Sequence, residues 1–306
     1  MKKVLVFGSI NIDLIYHVND LPTVGETIIS NGFATSNGGK GANQSYAIAK
    51  MGLPHKFIGK VGYDENGKNA IHNLNEVGVD TTFITTSEKT TGTAIILVDD
   101  KADNMIIVNS GANHDFDINE LENYLDVIEE SDIVLTQLEN PIEFTFALLK
   151  KAKAAGKITI LNPGPAIKLN EEQIKLCDYI VPNETELSII LGYEISDDIE
   201  IIKQRAIELQ KKANNTVIVT VGSRGSIIVD QEGLRQIEAQ VVEAVDPTAA
   251  GDTFIGTITM MLAKGGTIDS AIEMATFASA LSVTRSGAQP SIPSYDEVIE
   301  FKENKK

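Results

Sequence analysis

Short apolar, β-branched runs alternate along the chain with amphipathic stretches of helical period. Val4 to Phe7, Phe57 to Val61, Ile133 to Leu138, Ile158 to Leu161, Tyr179 to Val181 and Val217 to Val221 each read as a buried strand bounded by Gly, Pro, Asn or Asp. The helical stretches carry end signals of their own. Pro141 opens one in the first helical position, where a missing N–H is harmless, and Gly156 closes it, with Lys150, Lys151 and Lys153 near its negative end. Asn183 and Glu186 bracket the start of another as a capping box. Strands alternating with helices predict an α/β fold with a central, mostly parallel sheet flanked by helices.

Two segments break that rhythm. Thr93 to Asp99 and Asn104 to Asn109 face each other across Asp100-Lys101-Ala102-Asp103, the pattern of a β-hairpin. Asn11 to about Ala34 also reads as extended, with turns at Pro22 and Gly25. Together they predict a small accessory sheet, from about 11–36 and 91–110, inserted as a lid in a single domain spanning 1–306. No linker, low-complexity tract or repeat interrupts the chain, and Asp252 to Phe301 is helical in pattern.

Charge narrows the function classes. Lysine and arginine total 26 against 43 acids, a net charge of −17 over 306 residues. Such a surface repels nucleic acid and anionic membranes, so an anionic substrate must be held by local donors and a cation. The lone cysteine, Cys177, sits in an apolar run and cannot form an internal disulfide, which fits a reducing, cytoplasmic setting. The start, Met1-Lys2-Lys3 before four apolar residues, mimics a secretory leader, but the apolar run stops at Gly8-Ser9. No stretch reaches the ~18 apolar residues of a membrane span. The four histidines lack metal-ligand spacing, so no zinc site is expected.

Three sets of residues could carry chemistry. In Asp246-Pro247-Thr248-Ala249-Ala250-Gly251-Asp252, small residues run into a helix beginning near Gly251. A helix N-terminus offers unpaired N–H groups and positive potential to an anion. Asp252 there is either a general base for an attacking hydroxyl or simply an N-cap, and the local sequence does not decide. Asn37-Gly38-Gly39-Lys40-Gly41-Ala42-Asn43-Gln44 is neither a P-loop nor a dinucleotide fingerprint. It reads as a glycine turn opening a helix, a ligand cradle with Lys40 and Asn43 as donors or merely a strand-to-helix turn. Asn11, Asp13 and Glu139 fall just past strand carboxyl ends, where parallel sheets bind ligands. Carboxylates and amides without an aromatic platform suit a polyol, although each is also a common turn residue. Asn183 and Glu186 are accounted for by the capping box, yet a glutamate there could also organise the water shell of Mg²⁺.

In order and spacing these segments resemble the carbohydrate kinases of the ribokinase family, from the first strand to about Pro293. The resemblance rests on Gly8-Ser9-Ile10-Asn11-Ile12-Asp13, Gly38-Gly39-Lys40-Gly41-Ala42-Asn43-Gln44, Gly111-Ala112-Asn113 and Gln137-Leu138-Glu139. It continues through Asn162-Pro163, Asn183-Glu184-Thr185-Glu186, Gly222-Ser223-Arg224-Gly225, Ala249 to Phe254 and Thr284 to Ser291. It implies transfer of the terminal phosphoryl group of ATP to the 5-hydroxyl of D-ribose. Asp252 would be the base and Ala249, Ala250, Gly251 and Asp252 the N–H anion hole. Asn11, Asp13, Gly39, Lys40, Asn43 and Glu139 would line the sugar pocket. Asn183, Thr220, Gly222, Ser223, Gly225, Gly251 and Thr276 would contact ATP, with Glu186 tied to Mg²⁺ through water. The family's monovalent-cation site, for K⁺, maps to Asp246, Thr248, Ser282, Arg285, Gly287 and Ser291, largely through carbonyls. A homodimer paired through the lid is also implied.

Two positions depart from the family pattern. Pro247 replaces the usual threonine in the cation loop, and Thr276 stands where a larger polar residue is common near the adenine. The same chemistry on deoxyribose, a ketohexose or a nucleoside, and a non-catalytic sugar sensor, are the competing readings. Intact Gly251 and Asp252 argue against the sensor.

Overall fold

The computed structural model describes residues 1–101 and 103–305; Ala102, in the expected hairpin turn, lies outside the described residues. Strand β1 (Val4–Phe7) leads into β2 (Asn11–His17), β3 (Gly32–Gly38) and helix α1 (Lys40–Lys50). Next come β4 (His55–Gly62), α2 (Glu65–Glu76), β5 (Val79–Asp80), β6 (Ile84–Ser87), β7 (Gly92–Val98) and β8 (Asn104–Asn109). The alternation resumes with α3 (Leu125–Glu130), β9 (Ile133–Thr136), α4 (Ile142–Ala154), β10 (Ile158–Leu161), α5 (Glu171–Lys175) and β11 (Tyr179–Ile180). It ends with α6 (Glu184–Leu191), α7 (Ile199–Ala213), β12 (Thr216–Thr220), β13 (Ser226–Asp230), β14 (Gly233–Ile237), α8 (Ala250–Ala263), α9 (Ile268–Ser282) and α10 (Tyr295–Asn304).

The main sheet runs β14-β13-β12-β11-β10-β9-β1-β4-β5, with β6 paired to the far end of β4. It is parallel from β12 to β5 and antiparallel at β12–β13–β14. Both faces are covered. In β1, Val4 and Val6 pack into the core formed with α8 and α9, while Leu5 and Phe7 pack into the opposite core with α3 and α4. That two-sided burial is why the central strands read as unbroken apolar runs. All the parallel strands end on one edge, where the candidate residues gather.

The second sheet has the order β3-β2-β7-β8, with β2 and β7 parallel between two antiparallel pairs. It bears out the expected accessory sheet, but β3 runs on to Gly38, and 18–31 forms no strand or helix.

Other expectations shift in detail. β9 stops at Thr136, leaving Gln137 to Glu139 beyond the strand. Pro141 is the N-cap of α4, one position before the first helical residue. The helical final third is interrupted from Val283 to Ser294, which holds only a short 3-10 turn at Gln289–Ser291. Cys177 is buried, and burial pushes its thiol up, as expected of an inert core cysteine. Among the described residues, no helix is long and apolar enough to cross a membrane.

Candidate active site

Asp252 lies in the first turn of α8, but it does not cap that helix. The N-cap is Ala249, in the left-handed region at φ 60°, with no side-chain cap. The N-cap reading of Asp252 therefore falls. Its carboxylate is turned inward, 8% exposed, with Oδ2 accepting from Asn43 Nδ2 at 3.0 Å and Oδ1 from Gln44 Nε2 at 2.9 Å. Ala250 N–H donates back to the Pro247 carbonyl at 3.2 Å. Gly251 and Asp252 N–H remain as first-turn groups for which a helix has no partner of its own.

Helix α1 delivers the opposing side chains. Its N-cap is Gly39 at φ 88°, a conformation that glycine adopts freely, and glycine has no side chain to cap with. Glu139, past the end of β9, supplies the missing acceptor: its Oε2 takes the Lys40 N–H at 3.0 Å and the Ser9 hydroxyl. Lys40 thus enters a cluster of carboxylates. Burial opposes its charge, but the fields of Asp252, Glu139 and Glu186 outweigh that and hold its ammonium above the ordinary value.

The carboxylates respond in the opposite sense. Burial, and then the charges of Glu139 and Asp252, push Asp13 up to about 7. Burial also pushes Asp252 above the carboxylate range, against the pull of Lys40 and of the Asn43 and Gln44 amides. Carboxylates raised above their ordinary range beside a charged lysine form a site that can both accept protons and bind hydroxyls.

Asn11 and Asp13 share a face of β2, as the period of two requires. Asn11 Oδ1 accepts from Asn113 Nδ2 at 2.7 Å. Asn113 also bonds the Ile10 N–H at 2.8 Å and the Ile10 carbonyl at 3.0 Å, like an added strand partner.

A second group lies along the same edge. The Asn183–Glu186 capping box is present at 2.7 and 2.9 Å, and Asn183 pairs with Thr220 in a β-bridge. Thr220 ends β12, and the turn through Gly222, Ser223 and Gly225 follows it. The Thr276 hydroxyl is instead bonded back to the Ile272 carbonyl within α9.

The third group is the 246–248 loop. Asp246 accepts the Thr248 N–H at 2.9 Å and the Gly287 N–H at 2.8 Å, which ties the two predicted cation segments together. The Ser282 and Ser291 hydroxyls turn to local carbonyls, and Arg285 bonds Glu297. What this loop can offer a cation is the Asp246 carboxylate and main-chain oxygens.

Gln44, Gln137, Asn162, Asn113 and Gln289 are buried amides of this region that the sequence alone does not single out residue by residue. Only Gln137 and Asn162 carry a local signal, as carboxamides directly after the apolar strands β9 and β10, where an unpaired amide would be expensive.

Residues 1–295 match the family described as pfkB family carbohydrate kinase. The ribokinase of Haemophilus influenzae is 38% identical over 306 residues, 99% of this chain and 100% of that protein. The deoxyribokinase of Salmonella typhi is 34% identical over 300 residues, 97% of this chain and 98% of that one. An Arabidopsis thaliana ribokinase solved with ribose and ATP superposes with a TM-score of 0.89 at 30% identity, covering 98% of each chain. With its main sheet, its second sheet and its buried acid at a helix N-terminus, the chain belongs to the pfkB family of carbohydrate kinases.

Proposed function

We propose that this protein is a ribokinase: it transfers the γ-phosphoryl group of ATP to the 5-hydroxyl of D-ribose. The observation that carries the reading is Asp252, a buried carboxylate in the first turn of α8, set within the electrostatic reach of Lys40, Asp13 and Glu139. The full-length similarity to ribokinases, one of them solved with ribose and ATP, supports the substrate pair.

In this reading Asn11, Asp13, Gly39, Lys40, Asn43 and Glu139 hold the sugar hydroxyls. Asp252 accepts the proton of the 5-hydroxyl as its oxygen bonds to the γ-phosphorus and the bridging P–O bond to ADP breaks. The Gly251 and Asp252 N–H groups, with the α8 dipole, stabilise charge on the transferring group. Asn183, Thr220, Gly222, Ser223, Gly225 and Thr276 bind the nucleotide.

Glu186 fits Mg²⁺ held through water. One of its oxygens is committed to the Asn183 N–H, and among the described residues no cluster of three acidic, His or Cys side chains forms a cage. Bound Mg²⁺ neutralises phosphate charge. The Asp246 loop fits K⁺: burial opposes the Asp246 charge, but its bonds from Thr248 and Gly287 hold the carboxyl below its ordinary range, so it stays anionic. The Thr248, Ser282, Arg285, Gly287 and Ser291 segments supply the remaining oxygens.

The second sheet acts as a lid over the sugar within one domain. Exposed Met105, Ile106, Ile107 and Val108 on β8 support pairing of two lids in a homodimer. One buried thiol and no disulfide suit a cytoplasmic enzyme.

Asp252→Asn tests the assignment: turnover falls by about 10²–10⁴-fold, the worth of a general base, while ATP binding persists. Near-normal turnover sinks it. A deoxyribose substrate is the second reading, favoured by the deoxyribokinase relative. Steady-state turnover on both sugars decides between them.

A further inference from the structure

We propose that Gln44, held in a single amide orientation by Asn162 and Gln137, is a positioning residue that keeps Asp252 an obligate hydrogen-bond acceptor. The proposal rests on Asp252 being the base. Gln44 is fully buried in α1, and each of its polar atoms is engaged. Nε2 donates to Asp252 Oδ1 at 2.9 Å and to Asn162 Oδ1 at 3.0 Å, while Oε1 accepts from Gln137 Nε2 at 2.6 Å.

A carboxamide can turn over, exchanging donor for acceptor. Here the direction is fixed from outside the site. Asn162, following β10, donates Nδ2 to the main-chain carbonyl of Val181 at 3.0 Å. That carbonyl can only accept, so Asn162 must present its oxygen to Gln44. Gln44 must then present its nitrogen, and Asp252 can only receive.

The far end of the chain bears the mark of this polarity. With Gln137 nitrogen committed to Gln44, its Oε1 is buried with no hydrogen-bond partner among the described residues. Orphaned buried oxygens are rare and call for a reason, and a fixed direction of donation provides one. The other oxygen of Asp252 also faces an amide donor, at the end of a second relay. Asn73 Nδ2 donates to Gln289 Oε1 at 2.5 Å, Gln289 Nε2 to Asn43 Oδ1 at 3.2 Å, and Asn43 Nδ2 to Asp252 Oδ2 at 3.0 Å.

Both carboxylate oxygens therefore face donors, which disfavours a proton on either before substrate arrives. The charged groups facing Asp252 are Lys40 from α1, which favours the anion, and Glu139 and Asp13, which oppose it. Burial, the largest influence, opposes the anion as well, and the Asn43 and Gln44 amides pull against it without adding charge.

The test uses Gln44→Met, which conserves volume without a donor, and Gln44→Glu, which conserves shape. Thermal melting and ATP binding serve as fold controls. With Gln44→Met we expect kcat to fall about 10²-fold, as for a misplaced catalytic group, with the ribose KM changed less than about threefold. The acid limb of the kcat–pH profile moves to higher pH, because the anion has lost a donor. Gln44→Glu moves it further, since two adjacent carboxylates share a proton. Asn162→Leu, acting only through Gln44, reduces kcat about 10-fold and adds nothing to Gln44→Met. A folded Gln44→Met or Gln44→Glu enzyme with wild-type kcat and an unmoved acid limb overturns the proposal. Failure of the underlying reading looks different: Asp252→Asn alone then keeps its turnover. If the reading holds, Gln44→Met causes no further loss in the Asp252→Asn background.

Discussion

Replacing Asp13 by Asn should make the protein more stable and the enzyme poorer, with a pH dependence that identifies the cause. Asp13 is 8% exposed, and its carboxyl is raised from 3.8 to about 7 by burial and by Glu139 and Asp252. A group whose folded pKa is raised binds its proton more tightly in the fold. Its contribution is neutral below the unfolded value and becomes a growing penalty as pH climbs from about 4 to 7. A gap of roughly three pH units at 1.36 kcal/mol each is on the order of 4 kcal/mol, fully developed at pH 8. This is a large share of a typical folding free energy of about 5–15 kcal/mol. Asparagine has the same shape and cannot ionise. Urea unfolding of both proteins at pH 5, 6, 7 and 8 should show the variant gaining steadily, from about 1–2 kcal/mol at pH 5 to about 4 kcal/mol at pH 8. Over the same range its ribose KM should rise at least about tenfold, the usual exchange of stability for a strained site. A stability difference that stays flat with pH, or favours the wild type at pH 8, refutes the electrostatic reasoning.

Asn113→Leu strands the Ile10 N–H and carbonyl, both bonded to this side chain in a buried setting. At about 1–3 kcal/mol for each orphan, chemical denaturation should show a loss of roughly 2–6 kcal/mol, with a raised ribose KM as Asn11 loses its anchor. Gly225→Ala places a Cβ into the Ile237 carbonyl at a backbone φ of 86°. The turn after β12 must move, so the KM for ATP should rise about tenfold or more while ribose binding by calorimetry stays intact. Asp246→Ala cuts the tie between the Thr248 and Gly287 segments. Activation by K⁺ over a K⁺-free buffer should shrink by at least half, and an unchanged profile would move the cation elsewhere.

The central strands were legible because each is buried on both faces, so Val4–Phe7 and Ile158–Leu161 announce themselves as apolar blocks. β13 and β14 were not foreseen. β14, Gly233–Ile237, is a mostly exposed edge strand held by an Arg235–Asp230 ion pair and by a two-residue connection without a turn signature. Asn11, Asp13 and Glu139 could be picked out because ligand-facing groups collect at strand ends. Asp252 could not be separated from a helix cap, since the deciding fact is the left-handed backbone of Ala249, which leaves its carboxylate free to turn inward. The amides escaped for a different reason. What Gln44 does depends on Gln137, Asn162 and Asp252, which lie 93, 118 and 208 positions away. No local pattern encodes such a partnership.

The junction between the two sheets has consequences for how this chain can change over generations. The backbone crosses between them four times, at Gly8–Ile10, Gly39, Glu88–Thr91 and Ser110. The crossings are stitched into a ring: Ala42 N–H to the Ser9 carbonyl, Ile10 to Asn113, Ala112 N–H to the Thr90 carbonyl, and Thr91 to Asp64 and Gly62. A substitution in that ring must be answered on another strand of it, so drift there is slow and correlated. The far ends of the small sheet, the 18–31 connection and the turn after β7, are tied among the described residues to each other, Asp100 N–H to the Asn19 carbonyl and Lys101 to Asp20, and not to that ring. Lineages can lengthen, shorten or recharge them freely, tuning what the sheet meets on its outer side while the ring beneath stays fixed.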